Sequence, residues 1–146
     1  MPSVNITISP NGALIDVLIE VSSQRKLAMQ AANVPIPSPA QCRLLIDTGA
    51  SSTCLDSWVF KSLGINAIGT VAIQTPSTTL NNGHTCNQYD VCLVIPHMAI
   101  SRYFHTIPVI ESAFAHQGID GLLGRDILAD CVFIYNGETG SYTLAI

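Results

Sequence analysis

The chain has 146 residues, of which 48% are hydrophobic and only 11% charged, with a net charge of −4. That length fits one ordinary domain, able to bury roughly 70% of its unfolded surface, so disorder is excluded. Its six Lys and Arg, of which only Arg25 and Lys26 are adjacent, form no basic patch for nucleic acid, the acidic balance disfavours an anionic membrane, and no apolar run approaches the eighteen or so residues of a membrane span.

Most segments read as strands. Val4 to Ile8 alternates apolar and polar residues, Pro10-Asn11-Gly12 supplies a turn, and Ala13 to Val21 alternates again, a pattern expected of a hairpin. Residues 22–40 carry Pro35, Pro37 and Pro39, which prevent regular pairing. They are expected to form an exposed loop insertion with room for a short helix within Gln24 to Ala32. Residues 42–46 form the next strand. Asp56 or Ser57 can cap a short helix that runs through Leu63 and stops at Gly64. Thr70 to Thr75 and Cys86 to Ile95 are further β runs, separated by the polar stretch PSTTLNNGHT, and Arg102 to Ile110 is another. The closing stretch ILADCVFIYNGETGSYTLAI gives a second helix start and a hairpin around Asn136-Gly137. There is no internal repeat and no low-complexity tract. The expectation is one mainly β domain over residues 1–146.

The N-terminal MPSVNITISPNGALIDV has neither a basic region nor a compact apolar core, so no signal peptide is expected. Five cysteines, an odd number without framework spacing, fit reduced thiols in a cytoplasm better than disulfides.

The chemistry concentrates in LLIDTGASSTCLD, residues 44–56. Asp47 follows three aliphatic residues at once, where a buried carboxylate is costly unless it shifts its pKa, accepts hydrogen bonds or finds a partner. Gly49 is expected to permit a sharp turn with unusual backbone angles, which points the carboxylate into a cleft. Thr48 offers a hydroxyl across a tight backbone contact. Two carboxylates about 3 Å apart share one proton, so that one takes a proton from water while the other donates to substrate. Asp-Thr-Gly alone more often marks an Asx-type turn.

A second element sharpens the reading. IDGLLGRDIL, residues 119–128, places two apolar residues and a glycine before Arg-Asp and a helix start. Together, LLIDTGAS and LLGRDIL resemble the paired motifs of the retropepsin-like aspartic proteases. Between them, VAIQTPSTTLNNGHTCNQYDVCLVI is similar to the flap hairpin of that family and the strand after it. The resemblance implies a single-lobed, closed acid-protease β-barrel with one or two short helices. It implies Asp47 as the catalytic aspartate, Thr48 as a brace between two active loops, and Gly49 as the residue that lets substrate approach. Leu122, Leu123 and Gly124 would pack beneath the loop, and Arg125 would hold it by a charge-assisted hydrogen bond. Ala50, Ser51, Thr75 and Pro76 would contact substrate. One departure matters: many viral members carry an acid at the second position after the glycine, facing that arginine. Here it is Ser51, so Arg125 needs another partner, either Asp126 or a backbone carbonyl.

No second Asp-Thr-Gly or Asp-Ser-Gly exists. A single-lobed chain must then borrow its second carboxylate from an identical subunit, so the resemblance implies a homodimer acting on peptide or protein. Rival readings are weaker. His84, Cys86, Cys92 and His97 match no zinc spacing, and neither metal nor cofactor is expected. Cys54 as a nucleophile lacks anything to lower its thiol pKa. Trp58 and Phe60 read as core. A silent dimerisation or peptide-binding module on the same fold is the alternative function.

Overall fold

The computed structural model describes residues 1–74 and 84–146 and is mainly β. The chain opens with β1 (Ser3–Thr7) and β2 (Leu14–Val21), followed by helix α1 (Ser23–Ala31) and β3 (Ala40–Ile46). Then come β4 (Cys54–Asp56), helix α2 (Ser57–Leu63), β5 (Gly69–Ile73), β6 (His84–Ile95) and β7 (Arg102–Ser112). A 3-10 turn at Ala115–Gln117 leads to β8 (Gly121–Leu123), helix α3 (Arg125–Leu128), and the strands β9 (Val132–Asn136) and β10 (Ser141–Ala145).

Six strands close a barrel in the order β2-β3-β8-β4-β7-β6, because β6 returns to pair with β2 from Leu18↔Val94 to Val21↔Val91. Strand β5 hangs on the outer edge of β6. The period-2 pattern decides which side chains fill the barrel: Ile15, Val17, Ile19 and Val21 of β2 and Ala40, Cys42, Leu44 and Ile46 of β3 are all buried. Each such aliphatic side chain contributes about 1.5–3 kcal/mol by leaving water. Helix α2 adds Val59, Phe60 and Leu63 to the same core, with Phe60 stacked on Tyr89 at 3.8 Å between ring centroids. Its ends are those expected: the Asp56 carboxylate accepts from the Trp58 amide, and Gly64 closes it at φ 63°. Trp58 itself lies at the surface rather than in the core, its indole N–H donating to Asp120.

The expected N-terminal hairpin does not form. The Ser9–Gly12 turn is present, closed by two backbone hydrogen bonds, yet β1 and β2 part company after it. One edge of β2 pairs with β3 from Leu14 to Ile19 and the other with β6 from Leu18 to Val21. Strand β1 instead pairs antiparallel with β10, which pairs with β9, in a separate three-stranded sheet. The loop expected over residues 22–40 holds α1, capped by the Ser22 hydroxyl accepting from the Arg25 amide. The C-terminal hairpin forms, but Asn136-Gly137 is not its two-residue turn. Asn136 closes β9 and its side chain accepts from the Glu138 and Thr139 amides, while Gly140 takes the positive φ of 63°.

Candidate active site

The barrel brings the two sequence motifs into one place by threading β8 between β3 and β4. Strand β8 runs parallel to β3, with Leu44↔Gly121 and Ile46↔Leu123 in register, and antiparallel to β4, with Cys54↔Leu122. Three strands this close require a residue without a side chain: a Cβ on Gly121 would stand 2.1 Å from the Cys54 carbonyl oxygen, and one on Gly124 2.6 Å from Ser52. Where β3 and β4 splay apart, residues 47–53 bridge them, and β8 ends directly beneath.

Backbone and side-chain bonds tie the loop to the chain below it. The Asp47 amide donates to the Leu123 carbonyl at 3.0 Å, and the Arg125 amide donates to the Ala50 carbonyl at 2.9 Å. The Arg125 guanidinium donates to the Thr48 carbonyl at 3.0 Å. A backbone carbonyl, not Asp126, is therefore the partner that Ser51 leaves open. Asp126 is engaged elsewhere: it accepts from the amide and the hydroxyl of Thr53, both at 2.8 Å. That buried hydroxyl in turn accepts from the Gly124 amide at 3.1 Å. Thr53 and Asp126 thus lock the two motifs together, a pairing that sequence reasoning missed. Thr53 reads as one more residue in a polar run, and its only signal is the Asp-Ile that begins a helix in the distant motif.

Asp47 is half-buried rather than buried, since it caps the open end of the barrel instead of its interior. Its Oδ1 accepts from the Gly49 amide at 2.8 Å. Gly49 does not adopt a positive φ, contrary to the expected strained turn. Its role is proximity: a Cβ there would lie 3.1 Å from the Asp47 carboxylate. Thr48 is exposed on the single chain, directly beside the carboxylate.

A cavity of about 420 Å³ opens over Asp47. Gly49, Ala50, Ser51 and Ser52 form its loop side, and Cys54, Ile110, Phe114 and Leu122 give it an apolar wall. Ile73 and Gln74 at the end of β5, with His84 and Cys86 at the start of β6, complete it. Thr75 and Pro76, expected against substrate, lie outside the described residues, as does the expected flap tip from Ser77 to Gly83. Two depressions of similar size lie against α1 and against β2 and β3, but neither holds the Asp-Thr-Gly loop. Burial, with the carboxylates of Asp126 and Asp47 nearby, pushes the Cys54 thiol up to about 11. It stays protonated at neutral pH and is no nucleophile. All five cysteines are free thiols, and no helix among the described residues is long and apolar enough to cross a membrane.

Chemically, one chain presents one carboxylate, anchored through one oxygen, at the floor of a largely apolar cavity. Such a group acts as acid or base but not as both in one step.

A sequence profile described as aspartyl protease matches residues 38–127, a span that takes in both motifs. No curated protein sequence matches the chain. Among solved structures, a retropepsin-like aspartic protease from Rickettsia conorii has the same fold, with a TM-score of 0.59 and 18% identity. The match covers 97% of this chain and 89% of that one.

Proposed function

Because this chain belongs to the aspartyl protease family, we propose that it is an endopeptidase whose water nucleophile is activated between the Asp47 carboxylates of two identical subunits. The observation that carries this reading is the placement of Asp47: at the floor of the cavity, fixed by the Gly49 amide, on a loop locked to the second motif.

With one proton shared by the pair, the ionised aspartate takes a proton from water while the protonated one donates to the carbonyl oxygen of the scissile amide. Water oxygen bonds to the carbonyl carbon, giving a tetrahedral diol. Its collapse breaks the C–N bond as one aspartate gives its proton to the amide nitrogen and the other takes a proton from a diol hydroxyl, which restores the single shared proton. Two ionised carboxylates at high pH lack the acid, and two neutral ones lack the base, so turnover is fastest at mildly acidic pH. Ala50, Ser51 and the end of β5 would run beside an extended substrate, and the Ile110, Phe114 and Leu122 wall favours hydrophobic residues flanking the cut. Strands β5 and β6 would carry a flap that excludes water on closing. Free thiols suit a reducing compartment such as the cytoplasm.

The test is cleavage of a hydrophobic-flanked peptide library at pH 4–7 by wild type and by Asp47→Asn. The variant keeps the shape of the site and removes the base, so turnover should fall by at least about 10²–10⁴-fold with the circular dichroism unchanged. Full activity in folded Asp47→Asn would remove the catalytic assignment. Peptide binding without cleavage by wild type would favour a silent binding module.

A further inference from the structure

The wall of the Asp47 cavity formed by β5 and β6 has a chemistry that the hydrolytic step does not use. His84 begins β6, and Cys86, two residues on, lies on the same face of the strand; both line the cavity. Beside them stand Ile73, Gln74, Ser51 and Ser52. Among the described lining residues, His84 is the one side chain able to carry a positive charge.

We propose that His84 is a specificity-determining residue that selects peptides carrying a glutamate or aspartate side chain in the subsite between the β5–β6 wall and Ser51–Ser52. This rests on the reading of the cavity as a peptide cleft. Other groups that could govern the same charge are few. Among the described lining residues Asp47 is the one acid, and it would repel a substrate carboxylate unless a cation stood nearby. The Cys54 and Cys86 thiols are the remaining titratable lining groups, and Cys54 is held neutral by burial. Strand β5, GTVAI, brings no titratable group to its pairing partner His84. On β7, Glu111 is engaged by the Asn87 amide and the Tyr89 hydroxyl, which neighbour Cys86 and Gln88 but point from alternate positions of β6.

The experiment uses peptides that differ only by Glu or Gln, placed in turn at each position near the cut. Wild type, His84→Gln and His84→Lys are compared at pH 5 by the Glu-to-Gln ratio of kcat/KM within each variant. The expected ratio is about fivefold for wild type and His84→Lys at one position, falling to about one in His84→Gln. The same peptides are titrated onto Asp47→Asn and its two His84 double variants at pH 5. Tighter binding of the Glu peptide should persist with lysine and vanish with glutamine. A ratio of one at every position, or a preference that survives His84→Gln, overturns the inference. Selective binding without cleavage by wild type would instead sink the hydrolytic reading and leave this one standing.

Discussion

At the scale of the residue, the joint between the two motifs rests on Thr53, which is fully buried, and on the Asp126 carboxylate that it engages. Thr53→Val keeps the shape and removes the hydroxyl, leaving the Gly124 amide without an acceptor. The expected cost is about 1–3 kcal/mol, read as a lower urea midpoint at unchanged slope, with activity falling as the Asp47 loop loosens. An unchanged midpoint would mean that the joint is held by backbone bonds alone. Asp56 gives a second, pH-dependent prediction. The Phe114 amide, with those of Trp58 and Ala115, donates to its carboxylate and holds its pKa below the ordinary 3.8, against desolvation that raises it. A depressed folded pKa stabilises the fold above the unfolded value and loses that stability as pH falls through the folded one. Unfolding free energy should therefore be flat from about pH 7 to 5 and fall below about pH 4, below the mildly acidic range proposed for turnover. Asp56→Asn should make that acid limb shallower in denaturant titrations between pH 3 and 7. An identical limb in the variant would assign acid unfolding to other carboxylates.

At the scale of the element, the sequence was most informative where a local rule had no competitor. Asp56 and Gly64 bound α2 because a cap and a left-handed stop act within one turn. The pairing of LLIDTGAS with LLGRDIL was legible only through family resemblance, since nothing local says that β8 must enter between β3 and β4. The partner of β1 was not legible at all. Alternation around a Pro-Asn-Gly turn implies a hairpin, whereas the partner that β1 takes, β10, lies at the far end of the chain, which no local rule indicates. Likewise Asn136 caps its own turn through its side chain, which a dipeptide rule for hairpins does not anticipate. The threading predicts a sharp difference between two glycines. A Cβ at position 121 meets the Cys54 carbonyl oxygen at 2.1 Å, a backbone atom that cannot rotate away. Gly121→Ala should cost about 3 kcal/mol or more and separate β8 from β4. Gly137→Ala meets nothing closer than Tyr135 at 3.8 Å and should be near neutral. Thermal melts of the two variants decide it, and equal melting temperatures would contradict the close approach.

At the scale of the whole molecule, the unfinished feature is the second carboxylate. Tyr142, Leu144 and Ile146 at the chain end are buried in the chain's own core. Part of the exposed apolar surface lies on β9, where Val132, Ile134 and Tyr135 are about half exposed on a strand whose outer edge is unpaired among the described residues. An uncovered edge of that composition invites association. If the site is shared, a monomer holds one aspartate and no acid–base pair. Activity per chain should then fall on dilution in step with dissociation followed by sedimentation, because separation removes the site itself. Adding about a ninefold excess of Asp47→Asn chains, with time to exchange, should leave about one-tenth of the activity, since random re-pairing puts most wild-type chains in mixed dimers. Ile134→Lys, at a side chain more than half exposed in the monomer, should shift the dissociation to higher concentration. A stable monomer that keeps full activity at every dilution, indifferent to the Asp47→Asn excess, would show that the second proton-transfer group lies within one chain.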